Sequence, residues 1–391
     1  MIISCRRKRT ITEVQMIKVL HTGDIHLDAP FSKLDVNRAE IRRSELRAAF
    51  TSMMTYARTC GVDLILMTGD IFDNDFVTRE TVALMRREFE HIQAKIVISP
   101  GNHDYVSEKS IWKSHGVFPP NVHIFTDDSP AKFSFDDIGV DVYGYAFTAP
   151  DMYGWPLDGR TVDDKDKINI VCAHAHVYPS QTPYCRLTPS QIEAFGADYT
   201  ALGHVHNPTE QMNRIGKSCY AYCGCLEGRS FNELGPKGAL VLEMDKKDGI
   251  FEITPHSIRF SKKVYEYCDI KADGARTLGD IENAISAVIA DKKYGDDVML
   301  QARLSGSVDP SLIISEAILE ASFPSLAYLD LIDDTTPTFD TDSLMSDMTV
   351  RGEFYRVLLP KLSSPDPAER ETAAAALRAG LSALSGENIA Y

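Results

Sequence analysis

The chain has 391 residues, 44% of them hydrophobic and 25% charged, with a formal net charge of −15. That length accommodates two or three domains with ample core material, and no apolar run is long enough to cross a bilayer. The acidic balance argues against a protein that grips nucleic acid nonspecifically by neutralising phosphates; it leaves a nuclease open, because bound cations invert the local field of a site.

Residues 1–15, MIISCRRKRTITEVQ, carry a basic run with no apolar stretch behind it, so a disordered extension is expected there rather than a secretory signal. From Met16, IKVLHTGD reads as a buried strand ending in a polar cluster. Residues 37–60 have helical spacing, with Gly61 as the stop. Arg38, Arg42, Arg43 and Arg47 read as the solvated face of that helix. VDLILMTGD is a second strand, residues 78–93 a helix, and KIVISPGNHD a third strand. Continuous apolar strands alternating with helices predict βαβ units whose strands are buried on both faces.

Beyond residue 120 strands dominate. KFSFDDIGVDVYGYA reads as a hairpin, KINIVCAHAH and DYTALGHVH as apolar strands ending in histidines, and SCYAYCGC, GALVLEMD and IFEITPHSI as antiparallel strands. The expected architecture is a four-layer α/β/β/α sandwich of two mixed sheets over residues 16–262. Residues 263–335 carry a βαβαβ pattern, with helices over 277–292 and 310–321, expected to form a small second α/β domain. Residues 336–391 read as an acidic linker, from the turn-rich DDTTPTFDTDS stretch, and a helical tail. The eight cysteines are scattered, several inside apolar runs, and Cys223 and Cys225 lack the spacing of a zinc knuckle. They read as small buried side chains in a reducing, cytoplasmic setting.

Five segments share one design: a short apolar strand running into metal-ligand residue types. They deliver Asp24 and His26, Asp70, Asn102 and His103, His174, and His204 and His206. Ligands collect at the carboxyl ends of strands in α/β sheets. Each element alone is weak; their common context and order carry the inference. Carboxylate, amide and imidazole form a mixed oxygen and nitrogen set that suits Mn²⁺, Fe²⁺ or Zn²⁺ and lacks the thiolates of a structural zinc site. In extended chain, residues i and i+2 point the same way, so Asp24/His26 and His204/His206 can each aim two ligands into one pocket. Two metals need a bridging carboxylate, and Asp70 is the best placed.

The ordered set Asp24-Ile25-His26, Gly69-Asp70, Gly101-Asn102-His103-Asp104, His174 and Gly203-His204-Val205-His206 resembles the calcineurin-like metallophosphoesterase superfamily. HTGDIHLDAPF, YTALGHVHNP and EGRSFNELGPKGALVLEMD are similar to its SbcD-type DNA repair exonucleases, in particular the YhaO-like branch. The resemblance covers residues 16–260 and extends more weakly beyond them. It implies one metal held by Asp24, His26, His206 and bridging Asp70, and a second held by Asp70, Asn102, His174 and His204. In His174-Ala175-His176 it favours the first histidine as ligand, leaving His176 as a neighbour. The implied cofactor is a pair of divalent ions, Mn²⁺ foremost, which share a water and generate hydroxide at neutral pH. His103 would then be the general acid and Asp104 the carboxylate orienting it. Ser230 and Thr22 are not nucleophiles in this reading.

The expected activity is hydrolysis of DNA phosphodiester bonds. The resemblance further implies an SMC-like ATPase of the SbcC type as partner; a homodimer is a second expectation. The alternatives are a phosphatase or small-molecule phosphodiesterase, which fold and metal site do not separate from a nuclease, and a weakly catalytic scaffold subunit.

Overall fold

The computed structural model describes residues 16–72, 77–114, 116–178, 181–309, 312–338 and 341–384; the expectation for residues 1–15 lies outside them. The chain divides into two compact units, one ending at Lys262 and one beginning at Lys263.

In chain order, the first unit comprises β1 (Ile17–Thr22), α1 (Val36–Thr59), β2 (Leu64–Met67), α2 (Arg79–Glu90), β3 (Lys95–Ile98), β4 (Val122–Ile124), β5 (Ala131–Phe135) and β6 (Val140–Gly144). It continues with β7 (Ile168–His174), β8 (His176–Val177), β9 (Arg186–Leu187), α3 (Pro189–Phe195), β10 (Tyr199–Gly203), β11 (Asn213–Ile215), β12 (Ser218–Tyr222), β13 (Gly238–Lys247) and β14 (Ile250–Arg259). Two mixed six-stranded sheets result, ordered β14-β13-β1-β2-β3-β4 and β11-β12-β10-β7-β6-β5.

Alternation along the strands sorts the layers. Ile168, Ile170 and Cys172 of β7 and Ala201 of β10 share a core with β1, β2 and β3, and with Leu46, Phe50 and Met53 of α1 and Phe89 of α2. The opposite face of the same strands, Val171, Ala173 and Leu202, packs with Ile192 and Phe195 of α3. Asp35 caps α1 by accepting from the Asn37 and Arg38 amides. Strands β1, β2 and β3 run parallel, so their carboxyl ends lie side by side; β7 and β10 do the same, with His174 opposite Gly203. The SCYAY strand differs from expectation: β12 joins β10 in parallel and only β11 in antiparallel fashion. The connection back from β10 is long enough for such a crossover.

The second unit contains β15 (Val264–Lys271), α4 (Leu278–Lys292), β16 (Val298–Val308), α5 (Glu316–Ser322), β17 (Tyr328–Pro337), α6 (Thr341–Ser346), α7 (Val350–Leu362) and α8 (Pro367–Leu384). Its three strands are all parallel. Helix α5 is shorter than the expected 310–321 span. The acidic stretch read as a linker is half strand: β17 keeps its ladder with β16 through Thr336 and Pro337, and Asp334 pairs with Arg303 at 2.5 Å. Among the described residues no helix is long and apolar enough to cross a membrane.

Candidate metal centre

The loops after β1 and β2 are stitched together by the backbone. Asp24 N donates to Gly69 O and His26 N to Asp70 O, both at 2.9 Å. This turns the chain sharply: Asp24, His26, Asp70 and His204 all sit at positive φ, 47°, 50°, 52° and 99°. Non-glycine residues held there cost about 1–3 kcal/mol each and mark functional sites. Gly203 is required at the end of β10, because a Cβ there would run into the Thr68 carbonyl oxygen.

Six of the seven expected ligands interlock through polar side-chain atoms, and the seventh, His204, joins them through its backbone amide and the packing of its ring. The Asp24 carboxylate accepts the His204 amide at 3.0 Å. His26 Nε2 lies 3.3 Å from His206 Nε2, and His206 Nε2 lies 3.8 Å from Asp24 Oδ1. Asp70 Oδ2 sits between the two histidine groups, 3.4 Å from His174 Nε2 and 3.9 Å from His26 Nε2. Asn102 Oδ1 is 2.9 Å from His174 Nε2. The His204 ring packs edge-on to His174 at 5.2 Å and lies against His176 and Tyr184 at 5.0 and 4.7 Å. Two groups of expected ligands, Asp24/His26/His206 and Asp24/Asp70/His174, and a third group, His206/Cys225/Glu233, each hold their ligand atoms within 4.8 Å of one another. Between His174 and His176, it is His174 that meets Asp70 and Asn102.

The hydrogen bonds fix which nitrogen is available. His174 Nδ1 faces the Thr68 carbonyl at 2.9 Å, and a carbonyl only accepts, so Nδ1 carries the proton. Nε2 then faces the Asp70 and Asn102 oxygens. His206 Nδ1 likewise donates to Glu233 Oε1 at 2.6 Å, which leaves Nε2 on the side facing His26; burial lowers the imidazole's pKa, but Glu233 and Asp24 outweigh it and raise it above its ordinary value. Carboxylates, an amide oxygen and imidazole nitrogens gathered in a mostly buried place are groups that a cation among them would compensate. Two imidazole nitrogens about 3.3 Å apart also fit adjacent ligands of one ion with bonds of about 2.1 Å. The donor set therefore fits divalent metal.

Burial dominates the electrostatics. It raises Asp24 to about 6, against the pull of the His174 and His206 imidazoles. Burial pushes Asp70 up too, yet His174, His26 and His103 outweigh it and hold the carboxyl below its ordinary range. Burial, with neighbouring imidazoles, drives His204 down to about 2, leaving a neutral ring with a lone pair to give.

His103 donates its backbone amide to Asp70 Oδ1 at 2.9 Å, and its ring stands 5.0 Å from that of His26. Asp104 departs from expectation. Its carboxylate is taken up by the backbone amides of Gly101, Asp70 and Ile71 at 2.7, 3.1 and 2.9 Å. It ties the β2 and β3 loops together instead of serving the His103 ring. Burial and the adjacent Asp70 raise it to about 7. Arg42 is a second correction: it is 3% exposed, and its guanidinium donates to Glu227 Oε1 and Gly228 O at 2.8 Å. Helical spacing shows a stripe of arginines but not which one faces a distant buried carboxylate. Glu233 was missed altogether. It lies in the segment EGRSFNELGPKG, which stood out through resemblance alone.

The sequence profile of the calcineurin-like phosphoesterase family matches residues 17–208, the span that supplies every expected ligand, and this part of the chain is a calcineurin-like metallophosphoesterase domain. Among relatives, the chain is 25% identical to the metallophosphoesterase YhaO of Bacillus subtilis, across 75% of this chain and 73% of YhaO. It is 23% identical to the SbcD component of the nuclease SbcCD of Staphylococcus epidermidis, across 59% of this chain and 66% of that one. It is 21% identical to the DNA double-strand break repair protein Mre11 of Methanopyrus kandleri, across 63% of this chain and 58% of that one. The chain thus spans less than two thirds of the length of the last two.

Proposed function

We propose that this metallophosphoesterase is a dinuclear phosphodiesterase acting on DNA. The observation that carries the reading is the position of Asp70 Oδ2 between His174 and His26, 3.4 and 3.9 Å from their Nε2 atoms. Asp24, His26, His206 and Asp70 would hold one cation; Asp70, Asn102, His174 and His204 would hold the other. When bound, such ions, Mn²⁺ foremost, activate water and neutralise charge on phosphoryl oxygens. The Thr68 carbonyl and Glu233 keep His174 and His206 in the ligating tautomer. Asp104 keeps the Asp70 and Asn102 loops in register. The His103 ring gives a proton to the departing oxygen, a role suited to imidazole near neutrality. The similarity to SbcD and Mre11 supports DNA as substrate and an SMC-like ATPase as partner. The net charge of −15 favours the second reading, a small-molecule phosphodiesterase.

Chain loaded with Mn²⁺ is assayed on labelled single- and double-stranded DNA and on bis-p-nitrophenyl phosphate. Both substrate classes should be cleaved. His103→Ala should lower kcat by about 10²–10⁴-fold while metal content stays at two. Cleavage of the small diester without DNA cleavage establishes the second reading; metal-loaded chain inert on every substrate overturns both.

A further inference from the structure

His174 and His206 each anchor their far nitrogen, and they do so differently. His174 Nδ1 donates to a neutral backbone carbonyl, Thr68 O, at 2.9 Å. His206 Nδ1 donates to a carboxylate, Glu233 Oε1, at 2.6 Å. We propose that Glu233 is a positioning residue for His206 and thereby sets the affinity of one of the two cation positions and not the other. The inference rests on the dinuclear reading above.

Glu233 is built to stay fixed and ionised. It is 7% exposed. Its second oxygen accepts the Arg229 backbone amide at 2.7 Å, with the Cys225 thiol at 3.9 Å. The Arg229 guanidinium lies 3.5 Å from Oε1, a counter-charge that offsets the burial of the carboxylate. The same segment grips the backbone of the ligand loop: Lys237 Nζ donates to His206 O at 3.4 Å and to Asn207 Oδ1 at 2.8 Å. His206 needs such support more than His174 does. Its side chain is 25% exposed and lies in a loop two residues past the strained His204, whereas His174 is fully buried at the end of a strand. A carboxylate acceptor also makes the opposite imidazole nitrogen a stronger donor than a carbonyl does, and losing such a partner typically weakens metal affinity about 10–100-fold. The cation position served by His206 is therefore coupled to the 225–237 segment, whose Glu233 carboxylate is the acceptor for the ring Nδ1 while Lys237 Nζ and the Cys225 amide donate to the His206 carbonyl; His174 instead anchors its ring on Thr68.

The test counts ions rather than turnover. Apo chain is titrated with MnCl₂ by calorimetry, and retained Mn²⁺ is counted by mass spectrometry after desalting, for wild type, Glu233→Gln and Glu233→Leu. Wild type should take two ions. Glu233→Gln should melt like wild type in the apo form, weaken one binding step by about 10–100-fold and leave the other unchanged. Glu233→Leu should do the same more strongly; if it fails to fold, the isosteric glutamine variant carries the test. His204→Ala should weaken the opposite step. Two unchanged steps in Glu233→Gln, or equal weakening of both, overturns the inference. Wild type that takes up no metal overturns the dinuclear reading itself, a failure visible before any variant is made.

Discussion

The parallel strands of the metallophosphoesterase unit and the three-stranded sheet of the second unit start from the same grammar: apolar strands, helical crossovers, polar ends. They differ in how many faces are covered and in what the ends are made to do. Leu64, Ile65, Leu66 and Met67 of β2 are all buried, so that strand is covered on both sides. Along β16, Leu300, Ala302 and Leu304 face the core while Gln301 and Arg303 reach Asp330 and Asp334 on the other side. In the first unit the strand ends turn through positive φ at Asp24, His26, Asp70 and His204. In the second, among the described residues, the one non-glycine positive φ is Lys293, which caps α4. Asp273, just past β15, turns its carboxylate to the Ser307 amide. Among the described residues, all three His/Cys/Asp/Glu groups with metal-holding spacing lie in the first unit. A fold is thus set by the strands, and a site by strain and converging acceptors at their ends.

The comparison should break most sharply at Asp70, the residue proposed to serve both cation positions. Asp70→Asn keeps the side-chain shape but removes the bridging charge. It should lower phosphodiesterase activity by about 10³-fold or more and drop Mn²⁺ content below two per chain, measured by mass spectrometry. Full metal content in that variant would remove Asp70 from the centre. Next in size is Arg42→Leu, which leaves Glu227 buried with its other oxygen still on the Lys262 amide at 2.7 Å. The pair is 3% and 0% exposed, so its loss should cost about 3–5 kcal/mol. In chemical denaturation the loss should fall on the transition of the first unit and spare that of the second. One shared transition, shifted whole, would mean that the two units do not unfold independently.

What could be read from sequence follows the same division. Strand, helix and residue type are local properties, so β1, α1, β2 and β3 were legible from apolar spacing, and the polar residues that follow the strands could be picked out as candidate ligands. The partner of a buried polar group is a long-range property. Glu233 is 27 residues from His206 in a loop without periodicity, and nothing in either segment predicts their bond. Asp104 looked like a partner for the neighbouring His103 because sequence offers only neighbours; the backbone amides of Asp70 and Ile71 that claim it arrive from another loop. Arg42 looked solvated because a helical stripe does not reveal Glu227, 185 residues away. The acidic stretch after residue 332 looked like a linker because β propensity is weak there; a ladder to β16 and the Arg303–Asp334 pair hold it in the sheet.

The smallest expected effect tests the second unit alone. Ile285 of α4 is fully buried, in a core shared with Leu300, Ala302 and Leu304. Ile285→Val removes one methylene with no polar consequence, so the cost should be about 0.5–1.5 kcal/mol from lost burial and the small cavity left. For a domain of this size that is a melting shift of a few degrees, read by differential scanning calorimetry. The informative part is what should stay still. If ligand geometry is held by the strained turns of the first unit, Mn²⁺ content and turnover of bis-p-nitrophenyl phosphate should match wild type even as the second unit loosens. A parallel loss of metal would mean that the centre draws its rigidity from the second unit's core as well as from its own loops.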